Sequence, residues 1–288
     1  MEAAPVKLVE CPRDAMQGIV PFIPTEVKVD YLNALLQVGF DTIDIGSFVS
    51  AKAIPQLADT PEVLARIDRR GSRSKLLVIV ANERGAEEAV RQQVVDHLGY
   101  PFSISETFQQ RNTNTGIAGS WQRIARIAEI TERAGKELVV YISMAFGNPY
   151  GDPWSAEVAL HWTRRLVDEL GVRIIALSDT VGVARPVDIG HMFAALIPDM
   201  PRIEFGAHLH CTPENWKMKV QAAWDAGCRR FDGALKGYGG CPMAEDELVG
   251  NLAMDLFVAD LERRGIPTGT DRAALDRAIR LAGRVFPV

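Results

Sequence analysis

Two histidines separated by a single residue, His208-Leu209-His210, close an apolar, strand-like run. The period of two in an extended chain puts both imidazoles on one face, with Cα atoms about 7 Å apart, a spacing at which they can chelate one cation. On its own the pair is equally compatible with two hydrogen-bonded polar residues. Asp14, in Glu10-Cys11-Pro12-Arg13-Asp14, would add the anionic oxygen that two neutral imidazoles lack, provided the fold delivers it to the same place. Two histidines and a carboxylate also describe a catalytic zinc site with an activated water, so hydrolysis stands beside carbon–carbon bond chemistry as a reading of these donors.

A second candidate is Lys236-Gly237-Tyr238-Gly239-Gly240-Cys241-Pro242, where three glycines permit positive φ and large backbone movement around one thiol. A tight turn before a helix, with a small buried cysteine, would look the same. Above a metal site, a thiol with an ordinary pKa of about 8.5 would be mostly protonated and able to donate, which makes Cys241 a candidate general acid. Arg13 is often the kind of residue that only meets solvent, but beside Asp14 it is placed to stabilise an oxyanion that forms during reaction. Asp44 and Asp179 are expected to accept a proton or to orient the histidines by hydrogen bonding.

These residues need a frame that gathers them. Short β-branched runs alternate with helical patterns along the whole chain, the sequence form of repeated βα units around a parallel sheet. Eight strands are expected: Lys7 to Cys11, Thr42 to Ser47, Leu76 to Ala81, Phe102 to Ser105, Leu138 to Ser143, Ile174 to Ser178, Ile203 to His208 and Arg230 to Ala234. Between them apolar residues fall at helical spacing, and several segments stop at glycine, as at Gly135, Gly171 and Gly265. His97, His161 and His191 are all read as helical. Eight such units, undivided by a linker, predict an α/β chain forming a single TIM-type (β/α)₈ barrel over residues 1–288, with a ninth helix from Asp271 to Val285. In that architecture chemistry gathers on the loops after the strands' C-terminal ends. Asp14, Glu106, Asn148, Asp179, His210 and Cys241 all fall there, and Asp44 lies inside strand two.

Bulk properties narrow the partners. A net charge of −5, with 24% charged residues and no charged block, gives no electrostatic footprint for nucleic acid or an anionic membrane. The opening MEAAPVKLVECPRD lacks the pattern of a secretory signal and is too weakly apolar to span a bilayer, so a cytoplasmic protein is expected. The four cysteines, Cys11, Cys211, Cys228 and Cys241, fall at no zinc-ribbon spacing and are expected as free thiols.

The combination and order of several motifs resemble the hydroxymethylglutaryl-CoA lyases, members of the DRE-TIM metallolyases. The motifs are V-K-L-V-E-C-P-R-D-A-M-Q, D-I-G-S-F-V-S followed by P-Q-L-A-D, S-I-S-E-T-F-Q-Q-R-N, G-N-P-Y, S-D-T-V-G-V, H-L-H, G-Y-G-G-C-P-M-A and G-N-L-A, and they cover nearly the whole chain. The resemblance implies that Asp14, His208, His210 and Asn251 bind a divalent ion, magnesium or manganese. It also implies that Arg13 stabilises the enolate of acetyl-CoA, that Cys241 is the catalytic thiol, and that His208 or Asp179 takes the hydroxyl proton. The implied reaction is cleavage of an acyl-CoA, 3-hydroxy-3-methylglutaryl-CoA, to acetyl-CoA and acetoacetate, by a homodimer.

Several positions depart from the commonest family pattern. Asp44 replaces a glutamate, Cys211 an aspartate and Ala15-Met16 a glycine-leucine, while the segment from Glu10 to Arg13 is one residue shorter. These changes leave the ligand set intact and extend the reading to other 3-hydroxy-3-substituted acyl-CoAs or acids. A condensing aldolase or synthase of the same superfamily, running the bond formation, is the other enzyme class the motifs admit.

Overall fold

The protein is described from a computed structural model covering residues 5–240 and 249–286. Eight strands close in sequence order into a barrel in which every neighbouring pair is parallel. They are β1 (Lys7–Glu10), β2 (Thr42–Ser47), β3 (Lys75–Ile79), β4 (His97–Ser103), β5 (Glu137–Ser143), β6 (Ile174–Asp179), β7 (Glu204–Leu209) and β8 (Arg230–Gly233). The helices that return the chain begin with α1 (Pro12–Gln17), α2 (Thr25–Leu36), α3 (Thr60–Arg66), α4 (Glu83–Val90), α5 (Glu106–Thr113) and α6 (Ile117–Arg133). They continue with α7 (Ala156–Leu170), α8 (Pro186–Asp199), α9 (Trp216–Asp225), α10 (Met254–Arg263) and α11 (Arg272–Val285). The expected (β/α)₈ barrel is therefore observed. Among the described residues no helix is long and apolar enough to cross a membrane.

Local chemistry explains the boundaries. The α7 helix starts where the Ser155 hydroxyl accepts from Val158 N–H and stops at Gly171 in the left-handed conformation, φ 67°. The additional C-terminal helix is α11, which opens with the Asp271 carboxylate accepting from Ala274 N–H and lies along α2. Just beyond it, Phe286 stacks on Tyr238 at 4.6 Å and meets Tyr31 edge-on at 5.8 Å. The last helix thereby braces the segment that leads to Cys241.

Strand four corrects the sequence reading. The strand begins at His97 rather than Phe102, and His97 lies in it rather than in a helix, while His161 and His191 do lie in α7 and α8. Gly99 and Pro101 disguise the run as a break. The glycine has a packing cause: a Cβ there would lie 2.6 Å from Ile79 and 3.2 Å from Tyr141, in the crowded barrel interior.

That interior is layered. Leu77, Ile79, Val139, Tyr141 and Ala176 form an apolar plug, separate from the larger core between the strands and helices. Below it, toward the strands' N-terminal ends, Arg230 pairs with Glu204 at 3.0 Å and approaches Asp41 at 3.7 Å. Above it lie the residues singled out from the sequence.

Candidate active site

The α1 helix has only six residues, and Cys11 leads into it directly from β1, with Pro12 in its first turn. Arg13 and Asp14 therefore emerge at the barrel's C-terminal rim, both buried. Asp14 Oδ1 accepts from Arg13 Nη1 at 2.8 Å and from Gln17 Nε2, one helical turn on, at 2.8 Å. Arg13 donates Nε at 3.0 Å and Nη2 at 2.5 Å to Asp44 Oδ2, and a further Nη1 hydrogen to Gln17 at 3.1 Å. A guanidinium carries five N–H bonds and four are spent on these contacts, which leaves one Nη2 hydrogen.

The two histidines arrive from β7 as the period of two requires. Their ring centroids stand 5.4 Å apart, and one donor atom from each of Asp14, His208 and His210 lies within 4.8 Å of the others. His210 is just past the strand and is held by an antiparallel bridge to Asn251, reinforced by Cys211 N–H donating to Gly250 O at 2.8 Å. Asn251 Nδ2 donates to Asp14 Oδ2 at 2.9 Å and to Tyr238 O at 2.8 Å, so Oδ1 is the amide atom with a lone pair to offer. One carboxylate and two imidazoles, with the amide oxygen of Asn251 beside them, make a sulfur-free N/O set compatible with manganese or magnesium.

The glycines of the following segment answer to this site. Gly239 has φ 96°, and a Cβ on it would stand 2.7 Å from Asn251 Nδ2 and 3.0 Å from Asp14 O, so only glycine lets the chain pass this close. Cys241 itself lies outside the described residues.

The electrostatics agree with a cation site. Burial alone would raise the Asp14 carboxyl, but the Arg13 guanidinium and the two imidazoles outweigh it and hold the pKa at about 2. Burial, with the neighbouring His208, lowers His210 to about 4, so its ring is neutral and able to donate a lone pair. Burial would lower His208 too, yet the Asp232 carboxylate, 3.4 Å from its Nδ1, raises it. Burial lifts Asp44 to about 6, against the pull of Arg13.

The supporting carboxylates differ from the sequence expectation. Neither Asp44 nor Asp179 touches a histidine side chain among the described residues: Asp44 holds Arg13, and Asp179 Oδ2 accepts from Lys219 Nζ at 2.6 Å. Lys219 in turn donates to His210 O at 2.8 Å and Gly182 O at 2.9 Å, so Asp179 bears on the histidine through a lysine. The residue that does meet a histidine ring is Asp232 on β8. Its signal was present in Arg230-Phe231-Asp232, where the period of two again puts alternate residues inside the barrel. Lys219 had no such signal, because it reaches back from the middle of α9. Glu106 and Asn148, also expected at this rim, are spent on local structure: Glu106 accepts from Ile117 N–H, and Asn148 accepts from Tyr150 and Asp152 N–H.

Arg13, Asp14, His208 and His210 face a cavity of about 550 Å³. Ser178, Thr180 and Tyr141 add hydroxyls beside them, while Ile19, Val20, Phe22, Ile54 and Phe108 give it an apolar wall. With His161 and His191 on outer helices and His97 at the opposite end of the barrel, no further histidine joins the pair among the described residues. The remaining described cysteines, Cys11, Cys211 and Cys228, are free and buried.

Comparison with known proteins points the same way. The HMGL-like family profile matches residues 6–281. The chain is 30% identical over 267 residues to the cytoplasmic 3-hydroxy-3-methylglutaryl-CoA lyase of Rattus norvegicus, covering 92% of this chain and 77% of that protein. It is 31% identical over 273 residues to the (R)-citramalyl-CoA lyase of Chloroflexus aurantiacus, covering 92% and 85% respectively. Among solved structures, an HMG-CoA lyase from Acinetobacter baumannii in complex with coenzyme A and 3-methylmalate superposes with a TM-score of 0.89 at 31% identity, covering 98% of this chain and 91% of that one.

Proposed function

This chain belongs to the HMGL-like family and is a carbon–carbon lyase, and from that premise we propose that it is a divalent-metal-dependent enzyme cleaving 3-hydroxy-3-methylglutaryl-CoA to acetyl-CoA and acetoacetate. The observation that carries this reading is the convergence of Asp14, His208 and His210 within 4.8 Å beside an anchored arginine, lining a mostly apolar cavity.

Asp14, His208, His210 and Asn251 Oδ1 would hold the ion. A divalent ion bound there, magnesium or manganese, would supply Lewis acidity toward the substrate's oxygens. Transfer of the hydroxyl proton to His208, which lines the cavity whereas Asp179 is committed to Lys219, lets the C3–O bond become a carbonyl while the C2–C3 bond breaks, and acetoacetate separates. The electron pair of that bond passes to C2 and the thioester oxygen, giving the enolate of acetyl-CoA. The Nη2 hydrogen left over on Arg13 stabilises this oxygen as its charge develops. Asp14 and Asp44 grip the guanidinium from two sides, so the donor is oriented before the charge appears. Asp232 fixes His208 by accepting at Nδ1, and Lys219, held by Asp179, fixes the backbone of His210. Cys241, two residues beyond Gly239, delivers the proton that converts the enolate carbon to a methyl group.

The test is a substrate panel. Acetoacetate and acetyl-CoA in equal amounts from 3-hydroxy-3-methylglutaryl-CoA support the reading. Cleavage of citramalyl-CoA to pyruvate and acetyl-CoA, with no acetoacetate from the first substrate, would keep the lyase chemistry and overturn the substrate. Inertness toward both would contradict the proposed activity.

A further inference from the structure

A second constellation lies deeper in the barrel than the site described above. His208 and Asp232 lie on β7 and β8 and Cys11 directly follows β1, three strands consecutive around the closed barrel, and the register sets His208 and Val9 on either side of Asp232. One donor atom from each of the three lies within 4.8 Å of the other two. All three residues are buried.

None of these atoms is well satisfied by the protein. Asp232 is 1% exposed, and its Oδ1 accepts no hydrogen bond among the described residues, with Arg230 Nε standing 3.9 Å away, beyond hydrogen-bond reach. Its other oxygen makes only the 3.4 Å contact to His208 Nδ1, and Cys11 Sγ reaches Val9 O at 3.7 Å. An unpaired buried carboxylate oxygen is costly, and a cation is one way to satisfy it. Asp44 and Asp14 add negative charge near Cys11, opposed by Arg13.

We propose that Cys11 Sγ, His208 Nδ1 and the Asp232 carboxylate form a second cation site, selective for a thiophilic divalent ion such as Zn²⁺, whose occupation excludes the ion held by Asp14, His208 and His210. The selectivity follows from the donors, because sulfur with imidazole and one carboxylate suits zinc and disfavours magnesium. The exclusion follows from the proton count of imidazole. A neutral ring carries one N–H and one lone pair, so a metal on Nδ1 leaves the proton on Nε2, and the ring cannot then serve the outer site. Coordination replaces the Cys11 S–H bond by an S–metal bond and releases that proton to water. The barrel thus holds a zinc-sensitive brake on the metal chemistry proposed above.

The exclusion rests on the outer ion site, but the inner site does not, and the two are read separately. Co²⁺ serves as the spectroscopic stand-in for zinc. Wild-type protein with Co²⁺ should show thiolate-to-cobalt charge-transfer absorption, and Cys11→Ser should lose it. No thiolate band in the wild type, or a band that survives in Cys11→Ser, would overturn the inner site. For the exclusion, bound Mn²⁺ is followed by electron paramagnetic resonance while Zn²⁺ is added. Cys11→Ser should bind Mn²⁺ as the wild type does, yet need roughly tenfold more Zn²⁺ to displace it, a change at least as large as that from losing a supporting contact. Equal Zn²⁺ requirements in the two proteins would contradict the exclusion. Neither readout depends on which substrate is cleaved, so failure here is distinguishable from failure of the lyase assignment.

Discussion

Each end of the barrel holds a buried arginine between carboxylates, and the two are put to different uses. At the N-terminal end Arg230, 2% exposed, pairs with Glu204 and Asp41, while Gly206 leaves room for its stem: a Cβ there would stand 3.0 Å from Arg230 Cδ. At the C-terminal end Arg13 pairs with Asp14 and Asp44, but it also faces a 550 Å³ cavity and keeps one N–H uncommitted. Arg230 closes the barrel floor, and Arg13 presents a charge to whatever enters. The same ion-pair chemistry is thus sealed at one end and open to a cavity at the other, and that access is what the proposed role of Arg13 requires. Asp232 lies between the two, 3.9 Å from Arg230 Nε and 3.4 Å from His208 Nδ1.

The largest effect is expected from Cys241, the proposed proton donor. Cys241→Ala is expected to lower kcat by about 10² to 10⁴, the range for losing a general acid, with manganese affinity unchanged. Near wild-type turnover under saturating substrate and metal would remove the thiol from the mechanism.

Arg13→Gln should cost about 10² to 10³ in kcat, as for a lost oxyanion donor, with a smaller change in KM. A rise in KM at constant kcat would instead make Arg13 a binding residue.

Arg230→Met is the counterpart below. It should cost roughly 3 to 5 kcal/mol of stability, because Glu204, Asp41 and Asp232 lose the buried guanidinium they surround, while the fraction that stays folded keeps wild-type kcat. Denaturant unfolding beside kcat measured per folded enzyme checks this. An unchanged midpoint, or a kcat loss as deep as that of Arg13→Gln, would erase the contrast between the ends.

The smallest effect is on pH dependence, where each end contributes one histidine. Burial lowers His97 below and His210 above to about 4. In the metal-free protein each ring stays neutral where the unfolded chain, with a pKa near 6.5, would take up a proton. Each therefore contributes stability that is full above about pH 6.5, falls as pH drops toward 4, and is level below. Ring resonances followed by NMR should show both midpoints near 4 without metal. Manganese should remove the His210 transition and leave that of His97 in place; loss of both would show that the ends are coupled.

The part of the site legible in the sequence was the part written in local spacing. His208 and His210 share a face by strand period, and Arg13 and Asp14 follow a strand directly, so the barrel pattern alone put all four at one rim. Asp232 obeys the same rule beside Arg230 and was overlooked because a lone acidic residue in a strand carries no metal signature. Lys219 was invisible for a different reason: a helix residue that reaches back over the rim depends on how α9 packs, which no local period encodes. Asn251 entered only through family resemblance, since its place is set when the returning chain bridges to His210. His97 was misassigned because Gly99 and Pro101 look like breakers until the crowding inside the barrel explains the glycine.

The central claim is that Asp14, His208 and His210 hold one divalent ion that turnover requires. Titrating Mn²⁺ into thoroughly demetallated protein, with bound metal and acetoacetate formation measured on the same samples, tests it most directly. The account predicts no turnover without metal, one functional Mn²⁺ per chain with activity rising in proportion, and at least about tenfold weaker binding in His210→Ala. Full activity in the metal-free enzyme, or Mn²⁺ binding unchanged by His210→Ala, would contradict it.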